Sequence, residues 1–116
     1  NDPIINVPII ILTNENTASS SEILAGALKD LGKAKIVGTK TYGKGVIQQL
    51  IEFKDGSGIK ITCEQYKTPN KNEINKVGIS PDVEVELPET VENVLLVKEE
   101  EDTQLKKAIE ILKSEN

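Results

Sequence analysis

Val7-Pro8-Ile9-Ile10-Ile11-Leu12 is a continuous apolar run rich in β-branched residues, the pattern of a strand buried on both faces in a parallel or mixed sheet. Polar residues 13–17 end it. From Ala18 the period changes: Ile23, Leu24, Ala27, Leu28 and Leu31 recur at helical spacing, Thr17, Ser19 and Ser20 offer N-cap oxygens, and Gly32 stands where a helix stops. Residues 34–38 read as a short strand, so the first 38 residues predict a strand-helix-strand unit with a right-handed crossover. Residues 46–53 and 59–66 flank Asp55-Gly56-Ser57-Gly58 and predict a β-hairpin. A polar loop over 67–82, punctuated by Pro69, Gly78 and Pro81, leads to residues 83–87, which alternate like an edge strand before Pro88. A last helix is predicted from Asp102, a cap, with Leu105, Ala108, Ile109 and Leu112 on one face and Lys106, Lys107 and Lys113 towards its C-terminal end. The fold class is α/β.

Composition narrows what such a fold can do. The 35 Ile, Val, Leu and Phe residues, in a chain of 116, exclude intrinsic disorder and provide one small core at most. With no histidine, Ser-His-Asp and Cys-His catalysis and an HExxH zinc site are excluded, leaving Lys, Asp, Glu, Tyr or Cys for proton transfer. Fourteen lysines, no arginine and a net charge of −5 argue against nucleic acid as a partner. Cys63 is the only cysteine, which rules out an intramolecular disulfide and a CxxC site. It alternates with Ile59 and Ile61 and reads as a buried core thiol. No apolar run exceeds four residues, far short of a helical membrane span. The start at Asn1-Asp2-Pro3, without Met or a cleavage signature, is expected of a mature form or an excised piece.

Two features could carry chemistry. Ser19-Ser20-Ser21 lie where a buried strand passes through a short loop into a helix N-terminus, whose unpaired N–H groups stabilise an oxygen anion. By type and position alone these are also ordinary N-cap and first-turn serines. Thr41-Tyr42-Gly43-Lys44-Gly45 holds a lysine between two glycines at the hairpin entrance. It is not GxxxxGK[ST] and precedes a strand, so a P-loop is excluded; in isolation it is an exposed turn lysine. Together the two complement each other, because a serine nucleophile without histidine needs another base, and a desolvated lysine can take the hydroxyl proton.

Residues 16–28, from Asn16-Thr17-Ala18-Ser19-Ser20-Ser21-Glu22-Ile23, then 37–49 with Thr41-Tyr42-Gly43-Lys44-Gly45, then Tyr66-Lys67-Thr68-Pro69 and Gly78-Ile79-Ser80-Pro81-Asp82, resemble in order and spacing the signatures of the carboxyl-terminal processing, or tail-specific, proteases. The likeness covers residues 8–87, and the final segment around Asp102-Thr103-Gln104-Leu105 resembles that family's closing helix. The resemblance implies Ser19 as nucleophile, Lys44 as base 25 positions on, the Ser20 backbone N–H as oxyanion donor and Gln48 as a third member of the site. In a regular strand the Cα of Gln48 would lie about 13 Å from that of Lys44, so a bend at Gly45 must join them or Gln48 acts only as support. Asp30 matches an acidic position of the family, but on a helix it stands about 16 Å from Ser19 and reads as structural.

The resemblance further implies the C-terminal half of a ClpP/crotonase-like core: a mixed sheet with a strand-helix-strand unit, a β-hairpin and a C-terminal helix. The expected layout is a partial catalytic core over 1–88, an acidic linker over 89–101 and a terminal helix over 102–116. The implied activity is a serine endopeptidase that processes protein C-termini without metal or organic cofactor, in an extracytoplasmic parent. Upstream of Asn1 the parent would carry a PDZ domain and the other half of the core. The implied partners are protein or peptide C-termini and a second copy of the chain, not nucleic acid. The alternative is a catalytically silent, self-associating fragment of the same fold. The acidic stretch Glu99-Glu100-Glu101-Asp102 reads as a solvated linker favouring the following helix N-terminus.

Overall fold

A computed structural model describes residues 7–114. In chain order the elements are β1 (Ile10–Thr13), α1 (Ser20–Asp30), β2 (Lys35–Gly38), β3 (Val46–Glu52), β4 (Gly58–Gln65), β5 (Val83–Glu84), a 3₁₀ turn (Val94–Leu96) and α2 (Thr103–Ser114).

The apolar β-branched runs at 9–12 and 36–37 pair as parallel strands, with Ile11 opposite Ile36 and Leu12 opposite Val37. β5 adds to the other edge of β2, also parallel, through Val37–Val83. The central strand is therefore the buried one: Ile36 and Val37 are fully covered. β1 departs from the expectation of burial on both faces. Among the described residues it is an edge strand, and Leu12 is 40% exposed.

α1 runs between β1 and β2 and ends as its sequence dictates. Gly32, at φ +62°, supplies the left-handed residue after the Leu31 cap, and its N–H reaches the Lys29 carbonyl at 2.9 Å. Ala25 joins Ile36, Ile74 and Ile79 in the core, with Ile11 and Ile23 packed against them. Ile74 and Ile79 come from the segment read as a polar loop, which is folded down onto α1. Asp30 and Asp82 fasten it. The Asp30 carboxylate accepts the Asn70 N–H at 2.9 Å, while Asp82 accepts the Ile36 N–H at 2.8 Å and pairs with Lys29 at 3.0 Å. The Thr68 hydroxyl and then the Asn70 N–H hold the Asp30 carboxyl below its ordinary pKa. Asp30 is thus a structural tie.

The expected mixed sheet resolves into two: the hairpin pairs only with itself, Val46 opposite Gln65 and Ile51 opposite Ile59. A bulge between Ile47 and Gln48 leaves Cys63 as the extra residue on β4. Cys63 is exposed, correcting the expected core thiol, since no layer of the described chain covers the hairpin.

The terminal helix forms as patterned. Asp102 caps it by accepting the Leu105 N–H at 2.8 Å. It packs on β1 and β2, and Gln104 donates to the Val85 carbonyl at 2.9 Å. The stretch before it, expected as plain linker, contains the 3₁₀ turn.

Candidate active site

Two loops build the site: the turn from β1 into α1, carrying Ser19, and the connection from β2 to β3, carrying Lys44. Tyr42 N–H donates to the Thr17 carbonyl at 2.9 Å, the first tie between them. Glu22 makes the others. Its side chain, completely buried in the first turn of α1, accepts at Oε1 from the Thr41 hydroxyl at 2.5 Å and from Gly43 N–H at 2.6 Å. At Oε2 it accepts from Ser19 N–H at 2.9 Å and from Lys44 N–H at 2.8 Å. One carboxylate oxygen thus holds the backbone of both chemical candidates, placing their nitrogens no more than about 6 Å apart, two hydrogen-bond lengths.

Burial alone would raise the Glu22 pKa. The Thr41 hydroxyl and the N–H groups of Lys44, Gly43 and Ser19 outweigh that and hold it below its ordinary 4.5. The ionised form is therefore the one that fits. Sequence reasoning did not single out Glu22, although Ser19-x-x-Glu22 is the capping-box pattern and its return bond, from Ser19 N–H to the Glu22 carboxylate, is present.

Ser19 itself is conformationally unusual. Its φ of +58° and ψ of −120° lie in a region that L-residues with a Cβ avoid, at a strain of about 1–3 kcal/mol. The same sharp strand-to-helix turn presents nucleophilic serines in other hydrolase folds. Ser19 is exposed. Among the described residues the N–H of Ser20, first in the helix, has no hydrogen-bond partner. Such a donor, beside an exposed hydroxyl at a helix N-terminus, is the local requirement for holding an oxyanion.

Lys44 is held by backbone that admits no side chain on either flank. A Cβ on Gly43, where φ is +91°, would stand 3.0 Å from Gly78 N, and one on Gly45 would stand 2.6 Å from Asn75 N. The ammonium is exposed. Gln48, the third candidate, is not brought to this pair: its amide meets the Thr62 hydroxyl across the hairpin at 3.4 Å, and it makes no hydrogen bond with Ser19 or Lys44 among the described residues.

A βαβ unit thus carries a strained, exposed serine at its first turn and a lysine whose backbone N–H is held by the same carboxylate. The model of peptidase family S41 matches residues 2–85, and the chain belongs to that family. It is 46% identical over 110 residues to a carboxyl-terminal-processing protease of Picosynechococcus sp., covering 95% of this chain and 26% of that protein. It is 47% identical over 93 residues to a chloroplastic C-terminal processing peptidase of Tetradesmus obliquus, covering 78% of this chain and 20% of that one. Among solved structures it resembles a photosystem II D1 C-terminal processing protease, with a TM-score of 0.67 and 49% identity over 70% of this chain and 22% of that one. The chain therefore spans between a fifth and about a quarter of the length of these relatives.

Proposed function

We propose that this chain is the part of a longer serine endopeptidase that carries its nucleophile and its base, and that the parent trims protein C-termini. The observation that carries the reading is the shared Glu22 oxygen, which fixes Ser19 and Lys44 to one point although they are 25 residues apart. In the proposed reaction neutral Lys44 Nζ takes the proton of Ser19 Oγ as the oxygen attacks the scissile carbonyl carbon. The tetrahedral oxyanion is received by Ser20 N–H and by a second donor from outside this chain. Collapse breaks the C–N bond, Lys44 returns its proton to the leaving amine, and the acyl-enzyme remains. Water, deprotonated by Lys44, then adds to the acyl carbon, the ester C–Oγ bond breaks to free the acid product, and Lys44 returns the proton to Ser19 Oγ.

In the proposed complex, segments beyond this chain or the substrate cover Lys44, which is exposed here. An open cleft of about 1040 Å³ beside β1 and α1, walled by Ile9, Ile11, Leu24 and Leu28, is apolar surface of the kind a missing core half would fill. A ClpP/crotonase-like core, an upstream PDZ domain and an extracytoplasmic location complete the proposal, and they rest on the family likeness. Gln48 enters it only as support for the hairpin. Replacing Ser19 or Lys44 by Ala in the full-length protein is expected to lower cleavage of an unfolded protein substrate by at least about a thousandfold. Turnover within tenfold of wild type in either variant overturns the assignment.

A second reading concerns the isolated chain. The open edges of the sheet and the exposed Leu50, Phe53 and Ile59 of the hairpin favour self-association without catalysis. Light scattering after size exclusion should find dimers or larger species, and a monomer at high concentration contradicts this reading.

A further inference from the structure

Next to the proposed Ser19–Lys44 pair lies an open cleft of about 580 Å³, whose lining includes Asn16, Tyr42, Lys44, Asn75 and Lys76. Its charge is opposite to that of the molecule. The chain carries a net −5, yet the cleft is lined by two lysines and by no Asp or Glu. Neither lysine has an ion-pair partner among the described residues, and the Glu22 oxygens are occupied by Thr41 and three backbone N–H groups.

Lys76 also occupies a position its side chain does not favour. It sits in the tight turn closed by Val77 N–H to the Ile74 carbonyl at 3.1 Å, at a φ of +61°, where Gly or Asn is the less strained choice. Its own N–H bonds to the Gly43 carbonyl at 2.8 Å, which locks the turn to the backbone just before Lys44. At this positive φ, where glycine would be less strained, stands a residue whose side chain lines the cleft. What this side chain provides is a cation.

We infer that Lys76, assisted by the Asn75 amide, is a substrate-binding residue that pairs with a carboxylate of the peptide close to the bond being cut, either an acidic side chain or the free C-terminus. The inference deepens the proposed peptidase reading and rests on it for the identity of the ligand. A carboxylate held by a charge-assisted hydrogen bond in a fixed geometry is worth about tenfold in binding over its neutral analogue.

The test uses the full-length protein. A cleavage point is first mapped in unfolded β-casein, and matched fluorescein-labelled peptides around it are made with Glu or Gln flanking the bond and with a free or amidated C-terminus. Binding is measured in the Ser19→Ala background, so that the readout does not depend on turnover. The carboxylate peptides are expected to bind about tenfold more tightly than their neutral partners. Lys76→Gly and Lys76→Asn, which suit the turn and should fold at least as stably, are expected to bring that ratio to about one, and Lys76→Glu to reverse it. The Glu/Gln pair and the acid/amide pair tell the two carboxylate sources apart, and a preference in either supports the inference. No preference in the parent, or a ratio unchanged in Lys76→Gly, overturns it. Residual cleavage by Ser19→Ala would instead count against the nucleophile assignment, and the binding ratio would still decide the role of Lys76.

Discussion

The β1–α1–β2 unit and the β3–β4 hairpin are both rich in β-branched and aliphatic residues, yet they come to opposite ends. Ile36 and Val37 of β2 are fully buried, whereas Leu50 of β3 is 62% exposed and Phe53, just beyond it, 51%. The difference lies in what each can reach. β2 is flanked on both edges by strands and is contacted by both helices. The hairpin leaves the core at Gly43–Gly45, where the chain is pressed so closely against residues 74–78 that its path is set by backbone contact. Its strands then contact each other and make no comparable contact with another helix or strand among the described residues. The hydrophobic driving force scales with area removed from water, about 25 cal/mol per Å², so the hairpin's apolar residues contribute little until something outside the chain covers them. The proposed Ser19–Lys44 pair sits on the seam between the two regions, with Ser19 on the α1 side and Lys44 at the root of the hairpin.

That contrast can be tested, beginning with the tie across the seam. Glu22→Ala leaves the Thr41 hydroxyl and the N–H groups of Ser19, Gly43 and Lys44 without their acceptor. A loss of about 3–5 kcal/mol in urea unfolding is expected, and a loss below 1 kcal/mol would mean the carboxylate does not hold the loops together. Ile36→Ala, in the buried strand, is expected to lower stability by about 2–5 kcal/mol.

Acid should act through the same tie. The Glu22 pKa is depressed in the folded state, so its stabilising contribution is complete above the unfolded value near 4.5 and is lost as pH falls through the lower folded value. Stability should therefore drop below about pH 4.5, and the drop should shrink in Glu22→Gln. An undiminished drop in that variant would assign the acid sensitivity to other carboxylates. The smallest effect is expected at Ile51→Ala in the hairpin, within about 0.5 kcal/mol for this chain alone. In the full-length protein the same substitution should cost several times more, and equality of the two would show that nothing covers the hairpin there.

The periodic parts of the fold were legible in the sequence. The helical spacing of Ile23, Leu24, Ala27 and Leu28 with its Gly32 stop, the Asp55–Gly58 turn and the Asp102 cap all reappear as elements. What was not legible depends on contacts distant in the chain. Ile74 and Ile79 carry no period because they lie in irregular backbone, and only the folded segment shows that they complete the core. Cys63 sits on the face expected to be buried, but pattern says which face is apolar and not whether anything lies against it. At the site, residue types and spacing selected Ser19 and Lys44. The left-handed backbone of Ser19 leaves no mark in its residue type, and the multiple acceptor role of Glu22 needs both loops in place to be visible. Gln48 was carried by resemblance alone, and in the hairpin its amide donates to the Thr62 hydroxyl.

Ser19, and not Ser20 or Ser21, is the proposed nucleophile, because its strained turn is tied through the Glu22 carboxylate to the backbone of Lys44. The most direct measurement is the cleavage rate of an unfolded protein substrate by the full-length protein carrying Ser19→Ala or Ser21→Ala. The account predicts that Ser19→Ala abolishes cleavage while Ser21→Ala stays within about threefold of wild type. Cleavage retained by Ser19→Ala, or lost in Ser21→Ala with the fold intact, would contradict it.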